Sequence, residues 1–205
     1  MQKLLLAVDR VSTWIGQLFA WGIVLLTIAI SWEVFSRYVL GKPHAWMFDV
    51  QIMLYGTLFM MAGAYTLSKN GHVRGDVLYG FFRPRTQATL DLILYVLFFL
   101  PGIVALTWAG WTFFTDSLAI REQTFNADPL PVYPFKFVIP LAGLLLLLQG
   151  LVEIARCAIC IREGAWPSRE QDVEEVDVDK LKAMVHADAD KGLAAAPAER
   201  GGGPL

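Results

Sequence analysis

Four long apolar stretches alternate with short polar joints, and most of the charged residues fall in the joints or beyond the last stretch. Trp14 to Ile30 carries no charge, and neither does Val50 to Leu67. A helix needs about 20 apolar residues to cross the hydrocarbon core of a bilayer. The pattern therefore predicts spans over about Val11–Tyr38, Ala45–Ser68, Thr89–Phe114 and Phe137–Ile159. Lys69-Asn70-Gly71 stops the second span, and Pro101-Gly102 predicts a kink in the third. Ahead of the first span, Leu4, Leu5, Leu6 and Val8 oppose Lys3, Asp9 and Arg10. That amphipathic pattern predicts a lead lying on the membrane surface. Between the second and third spans, Val77 to Phe82 predicts a short interfacial helix. The expected class is an all-α membrane protein with four transmembrane helices and short interfacial helices. Its parts are an amphipathic lead over 1–10, a four-helix transmembrane domain over 11–164, and a polar tail over 165–205. The tail is acidic at first, then rich in Ala, Gly and Pro, a composition that predicts disorder.

Composition supports the membrane reading: the 205 residues are 56% hydrophobic, with a mean hydropathy of +0.48, too apolar for an ordinary soluble domain. The formal net charge of -2 averages a basic membrane part with an acidic tail. The first apolar run is long enough to span and no small-residue cleavage site ends it, so it reads as a span and not a signal peptide. No basic stripe marks a nucleic-acid surface, and nucleic acid is not an expected partner. Four spans put both termini on one side. That side collects Lys3, Arg10, Lys69, Arg74, Arg83, Arg85, Arg156, Arg162 and Arg169, against Arg37, Lys42, Arg121 and Lys136 opposite. The positive-inside bias predicts cytoplasmic termini.

Three groups of polar residues stand out. Glu33, Arg37 and Asp49 flank the Gly41-Lys42-Pro43 turn of a helical hairpin. Glu33 and Arg37 are i and i+4, with the acid N-terminal, the favourable order. Arg37 and Asp49 lie about 7–10 Å along their helices from Lys42, hence at similar depth. Two readings follow: a clamp in which Glu33 and Asp49 both hold Arg37, or separate charges that snorkel to the headgroups. His72, Arg74 and Asp76 lie in the next joint. They either tie it to the inner face of the bundle, with Asp76 capping the helix that follows, or form a solvated loop. The third group is Asp116, Glu122 and Asp128, in a proline-rich loop from Asp116 to Phe135. Such a loop either docks a partner or packs over the bundle.

No catalytic, substrate-binding or metal-binding set is legible, and no cofactor is expected. Mid-span polar residues such as Gln17, Thr27, Thr57 and Thr107 are few and uncharged. His44 and His72 lie at opposite faces and His186 lies in the tail, which does not suit haem. Cys157 and Cys160 form a C-x-x-C on one helical face. A zinc site would need two more ligands. A thiol–quinone oxidoreductase is the alternative function, but it would want thiols on the oxidising side. A proton-coupled exporter using Glu33 would need that acid deeper in the membrane.

The stretches EVFSRYVLGKPHAWMFDVQIML, GAYTLSKNGHVRGDVL and PLPVYPFKFVIPLAGLLLLLQGL carry a resemblance. With the four-span plan, the chain resembles the small membrane subunit (Q-type, DctQ-like) of tripartite ATP-independent periplasmic (TRAP) transporters. The resemblance covers about Trp14 to Arg156. Asp49 stands where many relatives carry Glu, and Tyr133 where some carry Trp. The resemblance implies a non-enzymatic subunit of a sodium-coupled organic-acid importer in the bacterial inner membrane. It implies as partners a large membrane subunit (the permease), which it braces, and a periplasmic substrate-binding protein, besides membrane lipids.

Overall fold

Helix α1 (Gln2–Ala20) and helix α2 (Gly22–Tyr38) are separated by Trp21 alone and form one 37-residue length. This comes from a computed structural model that describes residues 2–71, 79, 81–167 and 169. The chain divides into two units, Met1–Asp172 and Val173–Leu205, and every described residue belongs to the first. At about 1.5 Å per residue, the α1–α2 length far exceeds a bilayer core. Its buried positions explain the excess. On α1, Leu5, Asp9, Ser12 and Gly16 form one helical stripe against α3 and α6. The stripe crosses residue 10 without a break in the helix, where the sequence predicts a lead giving way to a span.

Helix α3 (Ala45–Ser68) returns beside α2 after a turn in which Gly41 adopts a positive φ of 67°. Ser36 closes that turn twice: its backbone carbonyl accepts from Lys42 N at 3.0 Å, and its hydroxyl donates to Lys42 O at 2.7 Å. The joint over 72–78 and residue 80 lies outside the described residues, and with it the interfacial helix predicted there.

Helix α4 (Pro84–Leu94) places proline in its first turn, where the missing N–H costs no helix bond. It runs through a π-helical turn, Tyr95–Phe99, into helix α5 (Leu100–Ala119). Leu100 N–H donates to Tyr95 O, five residues back. The irregularity predicted at Pro101-Gly102 thus takes the form of a widened turn directly before the proline. Pro101 has no N–H to give, and its ring crowds the carbonyl of Leu97.

Helix α6 (Tyr133–Glu163) is the centre of the bundle and packs on α1, α3, α4 and α5. Within its most apolar window 44% of residues are buried, against 6–17% in the other three spans. Two small residues set its closeness to α5 and the π turn. A side chain at Gly143 would run into Thr107, and one at Gly150 into Phe99. The helix ends at Gly164, whose φ of 83° allows its N–H to reach Cys160 O at 2.7 Å. The remaining spans present apolar side chains outward, including Ile23, Leu25 and Ile28 on α2 and Trp108 and Trp111 on α5. That is the surface a bilayer or another membrane chain requires.

Candidate functional site

Polar side chains collect at the two ends of the bundle, and the two collections differ in how they are built. At the end where α1 begins and α6 finishes, Gln149, Glu153 and Arg156 project from α6 at i, i+4 and i+7. They meet Asp9 and Ser12 from α1. Arg156 is 1% exposed. It pairs with Asp9 through Nη2 and with Glu153 through Nη1 at 2.7 Å. Gln149 uses both ends of its amide: its oxygen accepts from Ser12 Oγ at 2.9 Å, and its nitrogen donates to Asp9 Oδ1 at 2.8 Å. Arg169 completes the set with two bonds to Glu153, the shorter 2.7 Å. Among the described residues of the cluster, two acids thus face two arginines. Arg156 Nε alone lacks a partner. Nearby, Trp166 donates from its indole to Gln87 Oε1 at 3.2 Å, so the first residues of the tail lie against the bundle.

At the opposite end, Glu33 is the hub. Arg37 Nη2 reaches its Oε1 at 2.9 Å, as the i,i+4 spacing predicts. The partner across the hairpin is His44. Its backbone N–H donates to Glu33 Oε1 at 3.2 Å, and its ring Nδ1 lies 3.1 Å from Glu33 Oε2. His44 is the N-cap residue of α3, so the carboxylate of one helix sits at the positive end of the next. Asp49 has a different role from the predicted clamp: it accepts from Asn126 Nδ2 at 2.6 Å, which ties the α5–α6 loop to α3. The reason is angular. Depth was shared, but Asp49 faces the loop while Glu33 already engages Arg37, whose side chain stays 52% exposed.

The loop itself spans only 120–132, because α5 and α6 extend further than predicted. It is folded: Thr124 N donates to Leu130 O at 2.9 Å and Val132 N to Glu122 O at 3.0 Å. Asp116 lies on the last turns of α5 and is exposed. Glu122 points inward to Lys136, whose ammonium also lies 3.8 Å from the Phe113 ring centroid. The bond from Lys136 holds the Glu122 carboxyl below its ordinary value. Asp128 stays exposed and, with Trp46, Pro129 and Leu130, lines an open cleft. Phe125 is fully exposed at the loop tip.

His72, Arg74 and Asp76 lie outside the described residues. Cys157 and Cys160 are free thiols, both buried, packed with Ala88 against Leu92, Tyr95, Ile161 and Trp166. Cys160 donates weakly to Pro84 O at 3.6 Å. Buried thiols of this kind fill space and are poorly placed to react. Among the described residues, no three His, Cys, Asp or Glu side chains form a group that could hold a metal ion.

Sequence reasoning missed the α1–α6 cluster. Its signal was present, since Gln149, Glu153 and Arg156 share one face of an otherwise apolar helix, but Asp9 lies 147 residues from its partner. His44 was weighed only as a haem ligand, and Asn126 and Lys136 were not singled out.

No characterised protein matches the sequence closely enough to be counted a relative. A family model does match, over residues 26–159; it describes the DctQ component of tripartite ATP-independent periplasmic transporters.

Proposed function

The chain belongs to the DctQ component family of tripartite ATP-independent periplasmic transporters, and from that premise we propose that it is the accessory membrane subunit that braces the large permease. The family match, from residue 26 in α2 to residue 159 in α6, carries this reading. Two features of the fold support it. Helix α2 turns only a narrow stripe toward the bundle, with Leu26, Glu33 and Ser36 its buried positions. The rest of its circumference is apolar and exposed, a surface suited to a second membrane chain. The charged groups lie toward the ends of the spans and are used in holding helices together, so coupling ions and substrate belong to the larger partner.

In this reading both termini are cytoplasmic and the membrane is the bacterial inner membrane. The α2–α3 tip and the 120–132 loop then face the periplasm. Asp116, Asp128 and Phe125 are the exposed residues through which that face would meet the substrate-binding protein. Glu122 is not among them, since it is committed to Lys136. The thiol–quinone alternative is disfavoured by the burial of both cysteines. The test is sodium-driven organic-acid uptake in a strain lacking this chain. Uptake should vanish without it and return with it. Charge reversal at Asp128 should weaken uptake at limiting binding protein while leaving the membrane complex assembled. Undiminished uptake in the deletion strain would reject the accessory role.

A further inference from the structure

The start of α3 and the 120–132 loop border an open cleft of about 530 Å³, lined by Trp46, Asp128, Pro129 and Leu130. Both of its sides are held by bonds within the chain. Trp46 lies in the first turn of α3, and its ring leans on the His44 ring with centroids 5.9 Å apart. His44 is itself fixed by Glu33, through the backbone N–H and the ring Nδ1. On the loop side, Leu130 N–H donates to Thr124 Oγ1 at 3.0 Å, and Thr124 N–H donates to Leu130 O at 2.9 Å. Asn126 then ties the loop to Asp49, three residues along α3 from Trp46. Asp128 is therefore carried between two anchored residues of a short folded loop, and little order has to be gained when something binds.

The charges around the cleft favour a cation. Asp128 is exposed and, among the described residues, has no ion-pair or hydrogen-bond partner. Asp49 is met by the neutral Asn126 amide and, among the described residues, by no cation. Arg37 is taken by Glu33 and Lys136 by Glu122, and no ion pair joins Lys42 or Arg121 to Asp128. The positive end of α3 would favour an anion, but the Glu33 carboxylate already meets it at the His44 N–H. The cleft thus offers one unpaired carboxylate and one indole beside the apolar Pro129 and Leu130. An indole face attracts cations. A guanidinium can stack on such a face and present two N–H groups to one carboxylate, whereas an ammonium is a compact, strongly hydrated point charge. An apolar side chain seated here would strip water from Asp128 and give nothing back.

We propose that this cleft receives an arginine side chain of the substrate-binding protein, with the guanidinium stacked on Trp46 and bonded to Asp128. This rests on the reading above that the 120–132 loop faces that protein, and adds the chemistry of the contact. The test measures binding of the substrate-binding protein to this chain assembled with its large subunit in nanodiscs, by biolayer interferometry. Size-exclusion chromatography first checks that each variant complex is assembled. Asp128→Asn keeps the shape, removes the charge, and should weaken binding about tenfold. Trp46→Leu should weaken it about threefold, and supplies an independent readout if the first variant does not assemble. Each exposed arginine of the binding protein is then replaced by alanine in turn. One replacement should cost about tenfold against the wild-type complex and nothing further against Asp128→Asn. Equal affinity of the wild-type and Asp128→Asn complexes, or no loss with Trp46→Leu, would overturn the proposal and leave the accessory role intact. A loss at Asp128 that no arginine replacement shares would give the cleft to another occupant and overturn it too. An assembled wild-type complex that does not bind the substrate-binding protein would overturn the docking reading itself, and the arginine contact with it.

Discussion

The arginine clusters at the two ends of the bundle use the same kinds of side chain, yet Arg156 is buried and paired over a long range, while Arg37 is paired locally and half exposed. Arg156 is almost wholly enclosed between an acid from α1 and an acid from its own helix. Arg37 has one acid, four residues away, and water for the rest. A buried arginine flanked by two acids depends on each partner, because removing one charge leaves others uncompensated at low dielectric. A half-exposed pair is screened and contributes little. The first cluster therefore fixes the position of α1 on α6, whereas the second mainly orders a turn.

The largest way to break this contrast is Arg156→Ala. It leaves Asp9 and Glu153 buried together and should cost about 3–5 kcal/mol, read as loss of folded protein or a steep fall in melting temperature in mild detergent. Replacing Arg156, Asp9 and Glu153 together by apolar residues of similar volume should recover much of that loss. Gln149→Leu comes next. It strips Ser12 and Asp9 of a buried partner and should cost about 1–3 kcal/mol by the same assay.

At the other end the effects are smaller. Glu33→Gln should lower the melting temperature less than either change above. It should still exceed Arg37→Ala, because Glu33 serves both Arg37 and the His44 N–H. Arg37→Ala should cost about 1 kcal/mol or less. An Arg37→Asp, Asp49→Arg exchange should bring no recovery, since Asp49 bonds Asn126; recovery would restore the predicted clamp.

The smallest expected effect is a pH dependence at the loop. Glu122 has its carboxyl value depressed by Lys136. Its contribution is therefore complete above the ordinary value of 4.5 and declines as pH falls through the depressed one. Glu122→Gln should flatten the melting temperature against pH in that acidic range. An unchanged profile would show the pair to be inert.

How much of this was legible depended on sequence distance. Apolar run length marked the four spans, because a bilayer imposes a minimum length. The i,i+4 rule joined Glu33 to Arg37, because helix geometry is local. Neither rule reaches from Asp9 to Arg156. That pairing exists only once α1 is docked, and in the sequence Asp9 reads as one polar position of an amphipathic lead. The Asp49 expectation failed for a related reason. Depth can be read by counting residues from a turn, but the direction of a side chain around its helix depends on what packs beside it, here the Asn126 loop. The irregularity near Pro101 was legible from proline chemistry, and its resolution as a π turn was not.

Co-purification is the most direct test of the proposed role, a folded scaffold that holds a larger membrane partner. A tagged chain expressed with its large subunit and extracted in mild detergent should elute as a stable complex. Arg37→Ala should elute the same way, and Arg156→Ala should not, because its bundle no longer forms. A wild-type chain that is folded yet elutes alone, with the large subunit recovered separately and active without it, would contradict the claim.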